Sequence, residues 1–495
     1  MKKLVIAEKP SVAKDLARVL GRVPKKEDHY ENDEWVIDCA VGHLVELFMP
    51  DDFDKKLKAW KLTNLPIIPP EFQLKPIANT KKKFQQLKKQ LKRKDVGEVI
   101  NACDAGREGE LIFTYIYELA KANKPIKRLW MLSMTDQAIK DAFTNMREGV
   151  ELQPLQDAAR CRSESDWLIG INGTRAVTLK RSRSMSRQVS TVGRVQTPTL
   201  SLVIKREKEI NSFVPRDFFR ITSTFELSEG TYQGVFQRKD FKKAEDDKHD
   251  RIDRMWKKEE AEEIYSAIQQ AKQADISETK KRSPQSPGRL YDLTTLQREA
   301  NRLHSYPASR TLQIAQSLYE RHKVITYPRT DSKALPEDYG PICRDLLGSI
   351  QGEFGPHAQK ALQANWVDDK NKKIFNNKQI SDHFAIIPTT SSPSNLDTNE
   401  RKIYNLITKR FISVFYPPAL WDVTTRISSV NEYNFKTEGR VLVDPSWLAI
   451  YGKDNQPEDT LPGLTPEDNN QANLLKVDLS IDQTKLPHQF IIKDL

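Results

Sequence analysis

A short apolar run over residues 2–7 is followed at once by Val12, Leu16, Val19 and Leu20, spaced i, i+4, i+7 and i+8. The run reads as a buried strand, and the spacing as an amphipathic helix that Gly21 can close. The same strand-to-helix pattern returns at Val99 to Cys103, with a helix through about Leu119. Two such units predict an α/β domain over the N-terminal third, whose sites belong at the C-terminal ends of its strands. From about 150 to 212 the chain reads as helical. Residues 218–237 alternate like strands (Phe219, Ile221, Ser223, Phe225), and 257–274 reads as a helix with Ile264 and Ile268 inward. A Pro/Ser-rich joint at 283–288 predicts a break. Helices follow over 293–303 and 310–322, the second with Ser309 in position to cap it. Strand-like segments return at 421–430 and 432–443, and the final fifty residues are weakly patterned.

At 495 residues the chain is too long for one compact core, which predicts several domains. The net charge of +11 is modest, so its distribution matters more than its total. Segment 81–94 carries eight basic residues and no acid, and the serine-rich segment 175–194 carries six and no acid. Basic side chains among small hydroxyls suit phosphate contacts, although a solvated helix face explains 81–94 equally well. The four cysteines (Cys39, Cys103, Cys161 and Cys343) form no CxxC pair, which indicates neither a zinc site nor a disulfide framework and fits a reducing cytosol. The apolar N-terminal run is broken by Glu8-Lys9-Pro10, too soon for a signal peptide, and no stretch reaches membrane-spanning length. A soluble cytoplasmic protein is expected.

Glu8, Asp104, Glu108 and Glu110 are candidate metal ligands. Oxygen donors without neighbouring His or Cys favour Mg²⁺ over zinc. Acidic residues also collect at helix N-termini because the dipole stabilises them there, and that reading stands beside the first. No GK[ST] ending completes a P-loop, so ATP is not implied. Tyr327 precedes Pro328, which disfavours helix. Arg329, two residues on, falls on the same side of an extended segment and could neutralise a phosphate under attack by the phenol. His383 follows Asp382 and could donate to a phosphate oxygen; spacing alone leaves it structural.

Eight blocks occur in order: IAEKPSVAKDLARVLG at 6–21, AVGHLVEL at 40–47, DAGREGELIF at 104–113, VGRVQTPTL at 192–200, DLTTLQREANR at 292–302, SRTLQIAQSLYE at 309–320, ITYPRTDS at 325–332 and HFAIIPTT at 383–390. Together they resemble a bacterial type IA DNA topoisomerase of the topoisomerase III branch, over most of the chain. The resemblance implies a multidomain α/β plus α+β fold, an N-terminal Toprim domain followed by a toroidal core, short at the C-terminal side relative to the family. The expected division is a Toprim domain at 1–149 and a basic helical base at 150–212 to which 485–495 return. A strand-rich hinge follows at 213–280 and 401–484, and a helical domain carrying the tyrosine at 281–400.

The implied reaction is ATP-independent, Mg²⁺-dependent cleavage of single-stranded DNA through a 5′-phosphotyrosine, with strand passage and religation that relax negative supercoils and decatenate DNA. Tyr327 matches the nucleophile. Glu8 matches the glutamate that handles the leaving 3′ oxygen, and Lys9, Arg329 and His383 match groups at the scissile phosphate. Glu8, Asp104 and Glu108 match the metal-site carboxylates. Thr191, Val192, Gly193, Arg194, Val195 and Gln196 match a DNA-contact segment, with Asn172, Lys180 and Arg329 as nearby contacts. Single-stranded and negatively supercoiled DNA are the implied partners of a monomer, with no membrane and no ATP. Another Toprim nuclease or primase, or a non-catalytic single-strand-binding relative, are the rival readings. Many relatives carry a second aspartate where this chain has Gly106, and restoring it is expected to be tolerated. With so short a returning segment, helices near 150–212 are expected to expose apolar surface.

Overall fold

The computed structural model describes residues 1–181, 188–243, 245, 247–452 and 460–490. The arginine–serine core of the basic segment, 182–187, therefore lies outside the described residues, as do residues 491–495 of the returning segment. At the N-terminus, strands β1 (Lys2–Ala7), β2 (Tyr30–Glu31), β3 (Trp35–Cys39), β4 (Val96–Ala102), β5 (Ile126–Arg128) and β6 (Arg147–Glu148) form one sheet in the order β2-β3-β1-β4-β5-β6. Its centre, β3-β1-β4-β5, is parallel. Residues 4–7 of β1 are fully buried because helices cover both faces, so the strand reads as a continuous apolar run rather than an alternating one. Helices α1 (Pro10–Val19) and α2 (Arg107–Ala120) leave adjacent strands β1 and β4, which puts Glu8 and Asp104 side by side at the strand ends.

The basic segment at 81–94 is a helix over Lys81–Leu91 whose Phe84, Leu87 and Leu91 are buried in this domain's core. Its lysines are mainly the solvated face of an amphipathic helix. Helices α3 (Gln153–Arg181) and α4 (Gln196–Asn211) follow. They are sparsely covered: α4 buries no residue, and Val195, Leu200, Leu202 and Ile204 stand exposed, in line with the expected apolar surface.

Strands β7 (Asp217–Leu227), β8 (Gly230–Gln237), β9 (Gln273–Gln285), β10 (Ala419–Val430), β11 (Tyr433–Asp444) and β12 (Gln471–Gln483) close a barrel in the order β8-β11-β10-β9-β12-β7. Phe225, Phe236 and Phe435 fill it. Strand β9 runs into the expected joint, through Pro284 to Gln285. Beyond Asp275 it pairs only with β10, so the proline's missing N–H falls on a free edge.

The remaining body includes α5 (Leu293–His304), α6 (Ala308–Glu320) and α7 (Thr398–Ser413), with further helices at Gly340–Ser349 and Gly355–Gln363. Ile403, Tyr404, Leu406 and Ile407 of α7 pack with Leu296, Ala300, Ile314 and Leu318. Residues 401–413, expected with the strand-rich segment, thus sit in the helical body. Helix α6 starts two residues too early for Ser309 to cap it: Pro307 holds the N-cap position, without a side-chain hydrogen bond. The real side-chain cap is on α5, where Asp292 Oδ1 accepts from the Thr295 N–H at 2.6 Å.

Candidate active site

The ends of β1 and β4 and the segment carrying Tyr327 enclose a cavity of about 690 Å³, lined among others by Lys9, Asp104, Tyr319, Tyr327 and His383. The segment is extended and held against residues 385–389. Thr326 N–H donates to the Ile387 carbonyl at 3.0 Å, Thr326 Oγ1 to the Ala385 carbonyl at 3.0 Å, and Thr330 Oγ1 to the His383 carbonyl at 2.7 Å. Two blocks some fifty residues apart in sequence therefore travel as one rigid pair, which sets the rings of Tyr327 and His383 4.4 Å apart, centroid to centroid.

Across the cavity, Lys9 Nζ donates to Asp104 Oδ2 at 2.7 Å and lies 3.6 Å from Glu8 Oε1. The same ammonium stands 4.6 Å from the Tyr327 ring centroid. His383 Nε2 reaches the same Asp104 oxygen at 3.2 Å. Burial, then the charge of Asp104, pushes the Glu8 carboxyl above its usual range. Asp104 goes the other way: against its burial, the His383 hydrogen bond and the Lys9 charge pull it down to about 2. Burial disfavours the Lys9 charge, but the carboxylates of Asp104 and Glu8 outweigh it and raise Lys9. Neighbouring carboxylates pushed apart in this way are the usual mark of acid–base chemistry.

Several expected residues stand elsewhere. Arg329 is exposed, and the Gln316 amide, turned with its oxygen towards the guanidinium, would accept from it at 2.9 Å. Glu108 is exposed on the first turn of α2 beside His43, 3.4 Å away. Glu110 is no ligand: it is fully buried and ion-paired with Arg128. Residues two apart on a helix face nearly opposite sides, so only one of Glu108 and Glu110 can look outward. Among the described residues, no group of three or more His, Cys, Asp or Glu side chains converges on one point.

Arg128 is the residue that sequence reasoning missed. From beneath the acidic loop it donates to the carbonyls of Asn101 (3.1 Å), Cys103 (2.8 Å), Leu129 (2.8 Å) and Asp104 (2.7 Å). It fixes the backbone that presents Asp104. Two glycines permit the close packing. A Cβ on Gly109 would lie 2.1 Å from the Asp104 carbonyl oxygen, and one on Gly106 would lie 1.6 Å from Asp382 Oδ1. An aspartate at 106, expected to be tolerated, would have to displace the Asp382 carboxylate, which fills the position from the opposite side.

The segment Thr191 to Gln196 leads into α4 and is pinned to α3. Val192 N–H donates to Thr174 Oγ1 at 3.0 Å and Ser190 N–H to Thr178 Oγ1 at 2.9 Å. Gly193 N–H donates to Thr197 Oγ1 at 3.1 Å. Arg194 holds Asp166 at 2.6 Å near the surface, and Lys180 is exposed. The Asn172 amide is already engaged: it accepts from Ile67 N–H at 2.6 Å and donates to the Ile67 carbonyl at 2.9 Å.

Comparison with known proteins gives this arrangement its class. A family model described as DNA topoisomerase matches residues 151–495, and the Toprim domain model matches residues 3–134. The chain belongs to the bacterial type IA DNA topoisomerases, in the topoisomerase III branch. DNA topoisomerase 3 of Bacillus subtilis and that of Bacillus licheniformis are each 39% identical to it over 500 residues, which is 99% of this chain and 66% of theirs. The chain thus spans just under two thirds of the length of these relatives. Full-length topoisomerase I from Thermotoga maritima superposes with a TM-score of 0.62 at 21% identity, covering 98% of this chain and 73% of that one. That likeness shows the fold. Among the described residues no helix is long and apolar enough to cross a membrane.

Proposed function

We propose that this chain cuts and reseals single-stranded DNA by transesterification at Tyr327, and so relaxes negatively supercoiled DNA and decatenates DNA without ATP. One observation carries the reading: the Tyr327 ring faces Lys9 and His383, and both of these touch Asp104 beside Glu8. In the forward step Tyr327 Oη forms a bond to phosphorus as the P–O3′ bond breaks. The phenolic proton is released and the departing 3′ oxygen takes one up. Glu8, whose proton is held more tightly than an ordinary carboxyl's, is suited to supply it. Resealing is the reverse, and the phosphotyrosine conserves the bond energy, so no nucleotide is consumed.

Lys9 and His383 bind and orient the scissile phosphate, Arg329 meets the adjoining backbone, and Thr191 to Gln196 with Lys180 guide the single strand. Asn172 supports this surface through Ile67. Mg²⁺ fits the donor set, because Glu8 and Asp104 are oxygen donors whose mutual repulsion a cation would relieve. Both would hold it, with Glu108 nearby, and when bound it supplies positive charge next to the phosphate. The domain division in this reading is Toprim to 149, base to 212, then a hinge and a tyrosine-bearing body. The enzyme works as a monomer on DNA in the cytoplasm.

A denaturing gel of oligonucleotide labelled at either end tests the proposal. Label retained on protein from the 3′-labelled strand only is the expected result. Free fragments would indicate a nuclease, intact DNA a binding protein, and either would overturn the reading.

A further inference from the structure

Gly106 and Asp382 face each other across the junction between the Toprim domain and the body that carries Tyr327. Gly106 is the N-cap of α2, a position normally occupied by a capping side chain, and here no side chain caps the helix. The notch left by the missing side chain is filled from the other body. Asp382 Oδ1, Cγ and Oδ2 lie 1.6, 2.3 and 2.8 Å from where a Cβ on residue 106 would stand. The backbone at Gly106 is extended, with φ −166°, so conformation does not demand glycine; only the space does.

The residues flanking this contact are the chemical ones. Asp382 precedes His383, which bonds Asp104, two residues before Gly106. We infer that Gly106 is a positioning residue: because 106 carries no side chain, the notch has room for the Asp382 carboxylate, and the 381–383 backbone can close to the register in which His383 and Tyr327 meet Lys9 and Asp104. An aspartate side chain has only two torsions with which to make way. A side chain at 106 would push back the 381–383 backbone, which Thr330 ties to the tyrosine segment. The rest of the junction offers an independent reporter, because Asp338 Oδ2 accepts from Ser133 Oγ at 3.0 Å and Thr135 Oγ1 at 2.7 Å.

The inference rests on the proposed reaction for its activity arm alone. The test uses Gly106→Ala, Asp382→Ala and the double variant, each carrying Ser133→Cys and Asp338→Cys with the exposed Cys161→Ser. The rate of disulfide trapping between 133 and 338 reads closure without any chemistry on DNA. Gly106→Ala is expected to slow trapping and to lower oligonucleotide cleavage on the order of 100-fold, as for a misplacement of about 1 Å. Asp382→Ala removes all three atoms that the new Cβ would meet. It should trap like the parent, and in the double variant it should restore both readouts.

Rescue in the double variant also shows that alanine at 106 is compatible with folding. Normal trapping by Gly106→Ala, or failure of Asp382→Ala to rescue it, overturns the inference. If the parent traps normally but forms no adduct with DNA, the proposed reaction fails while the positioning result stands.

Discussion

Lys9 donates to Asp104 across the ends of two adjacent parallel strands, 2.7 Å from Nζ to Oδ2, and its ammonium also lies 4.6 Å from the ring centroid of Tyr327. One side chain thus links the acidic strand ends of the first domain to the phenol of another body. Because Lys9 comes from the residue just before α1, and α1 is packed on the sheet through Ala13, Leu16 and Ala17, its root is fixed. A fixed cation held beside the phenol is preorganised for a phosphate.

Lys9→Ala should therefore lower single-turnover cleavage by about 100- to 1000-fold, the cost of losing one preorganised donor in a water-poor site. Single-strand affinity should change little, since a strand makes many other phosphate contacts. Quench-flow cleavage and fluorescence anisotropy on the same variant measure the two separately.

Glu8→Gln should trade activity for stability. Burial and the charge of Asp104 raise the Glu8 pKa, so the native state binds that proton more tightly than the unfolded chain does. The native state consequently loses stability as pH rises from the ordinary value of 4.5 through the raised folded value. Glutamine removes the penalty. The variant should melt higher than the parent at pH 7.5, by about 2 °C, with the difference shrinking towards pH 4.5, while cleavage collapses. Melting curves across that range check the sign; an unchanged difference at every pH would show that ionisation of Glu8 is not responsible.

Arg128→Met should destabilise the Toprim domain by about 3–5 kcal/mol, because Glu110 is left as an unpaired buried charge. Adding Glu110→Leu should recover much of that loss, yet cleavage should stay impaired, since the carbonyls of Cys103 and Asp104 remain without their donor. Urea denaturation of the single and double variants gives the stability, and oligonucleotide cleavage the rest.

Much of the site was legible because two different periodicities agreed. Buried strands end at Ala7 and Ala102, helices begin at Pro10 and Arg107, and the carboxylates fall between. The junction was not legible. Arg128 sits in a strand of three residues, too short to show a pattern, and Asp382 looked like a neighbour of His383 rather than the filler of a distant notch. Glu110 was misread as a ligand although helical spacing already pointed it inward. Strand β12 escaped notice because a register shift between Leu474 and Lys476 interrupts its alternation, while its partners β7 and β9 lie far away in sequence. Local chemistry was thus readable, whereas contacts created by folding over hundreds of residues were not.

Arg194→Ala should weaken binding to every single-stranded sequence alike and make the salt dependence shallower by about 0.7 in log–log slope, the release expected for one phosphate contact. The exposed guanidinium is held by Asp166 and would have to exchange that partner for phosphate. Titrations of two unrelated oligonucleotides at several salt concentrations decide the matter, and loss confined to one of them would put Arg194 against a base.

The most direct test is to trap the adduct with single-stranded DNA, digest both components and locate the nucleotidyl group by mass spectrometry. Tyr327 should carry it, and Tyr327→Phe should yield no adduct while retaining single-strand affinity. Among the described residues Tyr319, whose ring lies 5.3 Å away in the same cavity, is the rival close enough to compete, whereas Tyr291 is 1% exposed. A nucleotidyl group on Tyr319, or undiminished adduct from Tyr327→Phe, would contradict the account.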